Sequence, residues 1–310
     1  MVSVGDIVNV IQTCDLSKKY GKFQALKNVN MHIQKGDIYG FVGKNGAGKT
    51  TLIRIICGLQ DPTNGEYKLY DVTNRHRDIA VIRKKVGAIV EMPSLYLDCS
   101  AKENLRYQFE MLGNPDLTQI DDILKLVGLK ETGKKKVKDF SLGMRQRLAI
   151  GLTLVGKPDL IVLDEPINGL DPEGIIEIRE LILKLNHERG ITFLISSHIL
   201  DELAKLATRY GFIKDGNLIK EMTREELMNE CRKSVLIETT DLKKSIVVYD
   251  ELAYDYRILS ENQVEINQEV DITDLVLELS KRQIRVKKIK EKDENLETYF
   301  MKLLGESQYD

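Results

Sequence analysis

The chain has 310 residues, 42% of them hydrophobic and 30% charged, with a formal net charge of −2. That length accommodates one large core and a smaller second domain, while the near-neutral balance excludes a global basic field for nucleic acid. No apolar run approaches the roughly 20 residues needed to cross a bilayer, and the start of the chain lacks a charged-then-apolar leader. A cytoplasmic chain is therefore expected, with any membrane role carried by separate subunits. Lys134-Lys135-Lys136 and the run from Arg285 to Lys290 lie among acidic residues and read as solvated faces. Cys14, Cys57, Cys99 and Cys231 are widely spaced and form no CxxC pair, which fits reduced thiols better than zinc or disulfides.

In chain order, Val8 to about Lys35 reads as strand and turn, punctuated at Tyr20-Gly21-Lys22. Ile38 to Val42 is an apolar strand, followed at once by Gly43-Lys44-Asn45-Gly46-Ala47-Gly48-Lys49-Thr50 and an apolar-periodic helix ending near Gly58. Strand, glycine-rich loop and helix in that order form a phosphate-binding loop. Glycines let the backbone N–H groups wrap phosphate oxygens, and the helix N-terminus adds unpaired donors and its positive dipole end. Lys49 should reach the β- and γ-phosphates of a nucleoside triphosphate, the Thr50 hydroxyl should ligate Mg²⁺, and Thr51 is expected with Gly43 to Thr50 among the nucleotide-binding residues.

A turn at Asp61 to Gly65 precedes strands at Glu66–Tyr70 and Val86–Val90. From Ala101 to about Leu154 the pattern is mainly helical, with a turn at Gly113-Asn114-Pro115 and a basic loop around Gly133. Leu160–Leu163 and Thr192–Ile195 then read as strands separated by a helix from about Glu173 to His187. Continuous apolar strands alternating with helices indicate a buried parallel sheet. Asp164 and Glu165 emerge from the first of these strands, one suited to a Mg²⁺ shell and the other to polarising an attacking water. A hairpin follows, Tyr210–Ile213 turning at Asp215-Gly216 into Leu218-Ile219. Thr223 and Glu226 suggest a helix-capping box. Past a boundary at 222–233, Ser234–Glu238, Ser245–Tyr249, Gln263–Asn267 and Ile284–Ile289 resemble strands. Asp271–Arg282 and Leu296–Leu304 resemble helices.

Phe140-Ser141-Leu142-Gly143-Met144-Arg145-Gln146-Arg147 stands between the phosphate loop and the acidic pair. At this point the chain resembles the ATP-binding cassette (ABC) family, whose signature usually reads LSGGQ; Leu142 and Met144 depart from the common Gly and Gln. The resemblance covers about residues 6 to 222. It implies an α/β fold of the P-loop NTPase type, a cassette at 1–222 with a mixed sheet core and a helical subdomain at about 92–155. A linker helix at 223–233 and a small α+β accessory domain at 234–310 complete the expected organisation.

The resemblance also implies roles. Ser141 and Gly143 would contact the γ-phosphate of ATP across a dimer interface. Tyr20 would stack on adenine, Asp171 would link the two sites of the dimer, and His198 in Ser196-Ser197-His198 would meet the γ-phosphate. Where the family normally has glutamine, Val90-Glu91-Met92-Pro93 has Glu91. A third carboxylate is therefore expected beside Asp164 and Glu165 around one Mg²⁺. That glutamate, the signature variant and Glu294-Asn295-Leu296-Glu297 leading to Phe300 are similar to bacitracin-resistance and lantibiotic-immunity exporters.

In this family two cassettes pair head to tail, because signature and phosphate loop of one chain lie too far apart to share a nucleotide. A homodimer, or pairing with a similar ATPase subunit, is expected, with separately encoded transmembrane permease subunits and no nucleic acid. An importer subunit or a soluble non-transport ATPase is the competing expectation.

Overall fold

The computed structural model describes residues 8–114, 116–231, 234–268, 270–292, 296–303 and 305. It divides into two compact units, the first ending at Arg224 and the second starting at Glu225.

The first unit combines an antiparallel sheet, a largely parallel sheet and a helical segment. β1 (Asn9–Tyr20) pairs antiparallel with β2 (Phe23–Val29) and with β3 (His32–Gln34). β4 (Ile38–Val42), buried at every position, leads through the glycine-rich loop into α1 (Lys49–Ile56). β5 (Asn64–Leu69) returns to pair with β1, and β6 (Val72–Thr73) pairs with β5. The expected turn is thus confined to residues 61–63, and Asn64 and Gly65 already belong to the strand. There the backbone runs so close to β1 that a Cβ on Gly65 would sit 2.3 Å from the Asp15 carbonyl oxygen.

α2 (Ile79–Arg83) and β7 (Val86–Ile89) precede the helical segment. That segment holds α3 (Ala101–Met111), α4 (Gln119–Leu126) and α5 (Leu142–Leu154). Ser100 starts α3 with a full capping box: its hydroxyl accepts from the Glu103 N–H, and the Glu103 carboxylate accepts from the Ser100 N–H. The chain then returns through β8 (Leu160–Asp164), α6 (Pro172–Arg189), β9 (Thr192–Ser197), α7 (Leu200–Ala204), β10 (Arg209–Lys214) and β11 (Asn217–Thr223). The second sheet runs β11-β10-β4-β9-β8-β7, parallel except for β11. β4, β8 and β9 lie inside it and are buried throughout, so their sequences read as apolar runs, with polar residues only at the strand ends, rather than as alternating ones. The short helices α2 and α7 were not anticipated; at five residues each they carry less than two turns of periodic signal.

α8 (Arg224–Glu230) follows Thr223 directly, and the second unit continues with β12 (Ser234–Thr239), α9 (Leu242–Glu251), β13 (Tyr256–Ser260) and β14 (Gln263–Ile266). It ends with α10 (Ile272–Lys281), β15 (Val286–Lys292) and α11 (Leu296–Leu303). Its antiparallel sheet has the order β13-β14-β12-β15, and with α9 and α10 as the crossovers this is a split βαβ, ferredoxin-like arrangement. One expectation is corrected here. Ser245–Tyr249, expected as a strand, is helical within α9: the Asp241 carboxylate caps it by accepting from the Lys244 N–H at 3.1 Å. Ser245, Val248 and Tyr249 form its buried stripe, and that i, i+3, i+4 spacing outweighs the strand preference of the β-branched run. The strand instead falls at Tyr256–Ser260, a largely exposed edge with no alternating apolar pattern to announce it. Glu294 and Asn295, part of the expected tail motif, and Pro115 and Leu304 lie outside the described residues.

Candidate active site

The carboxyl ends of neighbouring parallel strands converge on the glycine-rich loop, the place where open α/β sheets hold ligands. β4 delivers Gly43 there, β9 delivers Ser196 and Ser197, and β8 delivers Asp164; Asp164 and Ser196 are register partners. The loop is anchored from behind. Gly43 N–H donates to the Ser197 carbonyl at 3.3 Å, Ala47 N–H to the Lys44 carbonyl at 3.1 Å, and Gly216 N–H to the Ala47 carbonyl at 3.0 Å. Two glycines are sterically obligatory. A Cβ on Gly43 would meet the Ile213 carbonyl oxygen at 2.6 Å, and Gly48 combines φ +112° with the Ala25 carbonyl oxygen 2.7 Å from its Cβ position. Lys44, Asn45 and Gly46 form the exposed crest. α1 begins at Lys49 with no side-chain cap, so the N–H groups of its first turn are left to a ligand in the loop.

Below the crest, six side chains form one connected network. The buried Lys49 ammonium donates to the Gly43 carbonyl at 2.6 Å and the Lys44 carbonyl at 3.2 Å, and pairs with Glu165 Oε1 at 3.1 Å. Glu165 Oε2 lies 2.8 Å from His198 Nδ1. The Thr50 hydroxyl donates to Asp164 Oδ2 at 2.8 Å, and the Ser196 hydroxyl donates to Asp164 Oδ1 at 2.5 Å. Ser196 is the member that sequence reasoning missed. Its hydroxyl also accepts from the Glu165 N–H at 2.9 Å, tying the two acidic residues together. Glu165 sits at φ +49°, a left-handed conformation that costs a non-glycine residue on the order of 1 kcal/mol. Donation from its N–H to both the Ser196 hydroxyl and the Ser196 carbonyl, the latter at 3.2 Å, holds it there.

Thr50 and Asp164 offer hard oxygen ligands from only two side chains, a donor set that suits Mg²⁺, which keeps several of its waters. The expected third carboxylate is not among them. Glu91 is directed to Arg54 of α1, forming an ion pair at the surface, because a guanidinium offers an opposite charge where the acidic pair offers repulsion. Among the described residues no three His, Cys, Asp or Glu side chains gather in metal-holding geometry.

The remaining expected residues lie elsewhere on the unit. Tyr20 ends β1, is 44% exposed as a residue, and donates its hydroxyl to Gln60 Oε1 at 2.6 Å. Ser141 caps α5 by accepting from the Met144 N–H at 3.2 Å, and Asp171 caps α6 by accepting from the Gly174 N–H at 3.1 Å. The starts of these two helices touch glycine to glycine: a Cβ on Gly143 would lie 3.6 Å from Gly174 Cα. Thr51 follows Thr50 on α1, half-buried.

A sequence model described as ABC transporter matches residues 26–168. The bacitracin transport ATP-binding protein BcrA of Bacillus licheniformis is 39% identical over 302 residues, covering 96% of this chain and 97% of that protein. The chain belongs to the ABC transporter family. It is an ATP-binding subunit that hydrolyses ATP, and its first unit is an ABC cassette. The lantibiotic transport ATP-binding protein SrtF of Streptococcus pyogenes is 46% identical over 207 residues, 67% of this chain and 88% of that protein. Among solved structures, an ABC transporter subunit from Clostridium perfringens, part of a cbiONQ complex, is similar with a TM-score of 0.65. It is 27% identical, covering 72% of this chain and 92% of its own. A dimeric cassette in a post-hydrolysis state with ADP and Pi has a TM-score of 0.61 and 28% identity, covering 69% of this chain and 98% of its own.

One cysteine of the cassette reports on the site. Cys57 closes α1, and burial, reinforced by the Asp164 charge, pushes its thiol up to about 12. Thiolate is the reactive form, so a maleimide at pH 8 is expected to label the exposed Cys14 well before Cys57 in the folded protein, with the difference lost in denaturant. Peptide mapping by mass spectrometry checks this.

Proposed function

We propose that this chain is the motor of a membrane exporter of peptide antibiotics, acting as a homodimer or with a similar ATPase subunit. It would sit at the cytoplasmic face of the membrane through separately encoded permease subunits. The observation that carries this reading is the extent of the likeness to the bacitracin transport relative, which spans both units rather than the cassette alone. No helix among the described residues is long and apolar enough to cross a membrane; in this reading the passage belongs to the permease subunits.

The proposed roles are those that family membership implies, and the network around Lys49, Thr50, Asp164, Glu165 and His198 supports its part of them. Glu165 Oε1 and Oε2 are held by Lys49 and His198, which leaves the carboxylate oriented to accept a proton from the attacking water. Lys49 and the amides of Gly46 to Thr50 would carry the phosphate charge, and Tyr20 the adenine. Thr50 and Asp164 would hold Mg²⁺, which supplies neutralisation of charge on the β- and γ-phosphate oxygens. Ser141 and Gly143 would approach the γ-phosphate of the second copy's ATP, with Asp171 linking the two sites through the start of α6. ATP would then favour the closed pair and hydrolysis its release.

Purifying the tagged chain from its native cells in mild detergent tests the assignment. A stoichiometric multi-spanning membrane protein is expected, together with increased sensitivity to a peptide antibiotic when the chain is deleted. Recovery with ribosomes or soluble partners only would overturn the exporter reading and leave the ATPase in place.

A further inference from the structure

β7 and β8 are parallel neighbours, with Ile89 opposite Leu163. Two residues beyond Ile89, Glu91 therefore leaves the sheet at the same end at which Asp164 and Glu165 leave it. It does so with φ +62°, a conformation that side-chain-bearing residues rarely adopt. A third carboxylate at this end of the sheet would repel both the acidic pair and the phosphates of ATP. The structure gives it a specific counter-charge, the guanidinium of Arg54, which belongs to the helix that starts at the phosphate loop. The pair is neutral overall, as a glutamine would be. It also fastens the segment that enters the helical subdomain to α1.

We propose that Arg54 is a positioning residue for ATP hydrolysis, cancelling the charge of Glu91 and holding that carboxylate away from the Mg²⁺ and phosphate positions. The inference rests on the ATPase reading of the site. Glu91 is 59% exposed and Arg54 41% exposed, so the pair contributes little to stability; its effect lies in where the carboxylate points.

A double-mutant cycle on the purified full-length chain separates this role from a structural one. R54A is expected to raise the KM for Mg²⁺-ATP by about 10-fold, the order expected when one carboxylate at this end of the sheet is left uncompensated near the phosphates, and to shift the Mg²⁺ titration. R54K, which keeps the charge, is expected to recover most of that loss. In an E91Q background the same R54A change is expected to move KM by less than about twofold, because no charge remains to be cancelled. Equal R54A penalties in the two backgrounds, or no penalty in either, would overturn the proposal. E165Q measured alongside tests the site reading separately: normal turnover by that variant would count against Glu165, whatever the cycle shows.

Discussion

Glu165→Gln is expected to lower kcat for ATP hydrolysis by about 10²–10⁴-fold, the range for removing a general base, with ATP binding retained. The amide keeps the shape of the side chain and its reach toward Lys49 and His198, which contact Oε1 and Oε2 at 3.1 and 2.8 Å. It loses the basicity that would take up a proton. If ATP closes the cassette pair and hydrolysis reopens it, the variant should also accumulate as an ATP-dependent dimer. Turnover by coupled phosphate release and size-exclusion chromatography with and without Mg²⁺-ATP give both readouts. Hydrolysis within tenfold of wild type would remove Glu165 from the role of base.

Lys49→Met should act on binding instead. The ammonium is the one buried cation in the network, held by two loop carbonyls and by Glu165. Charge-assisted hydrogen bonds are worth about 1.5–3 kcal/mol each, so losing its phosphate contacts should raise the Kd for ATP by about 10–10²-fold. Methionine fills the path of the lysine stem, and the loop keeps its backbone anchors at Gly43, Ala47 and Gly216. The fold should persist while binding fails. Titration with a fluorescent ATP analogue, with circular dichroism as the folding control, checks the split. A Kd within twofold of wild type would mean that Lys49 serves the loop rather than the nucleotide.

The two variants differ in what can be read in advance. Lys49 and Thr50 belong to a motif complete within eight residues, where chemistry and local conformation are specified together: the glycines supply φ values and clearances that other residues lack. Asp164 and Glu165 were legible because a buried parallel strand is an unbroken apolar run, so the first polar residues after it must emerge at the sheet's carboxyl end. The motor class followed from these segments together with the signature around Ser141.

Spacing along the chain carries no information about register between strands. That Ser196 stands opposite Asp164 and bridges it to Glu165 is a property of the β8–β9 pairing. The partner of Glu91 was hidden for the same reason. Arg54 reads as one basic residue on an amphipathic helix, and only the packing of α1 beside the end of β7 brings the two charges together. In the second unit, the helix at Leu242–Glu251 defeated a local reading because its cap and buried stripe outweighed β-branched propensity, a contest decided by what the segment packs against. By itself the sequence determined that this protein binds nucleotide phosphates and which residues are chemically able to do so. The tertiary structure decided which of those groups share a network, since charge pairing and hydrogen bonding act over a few ångströms of space and not over positions in a chain.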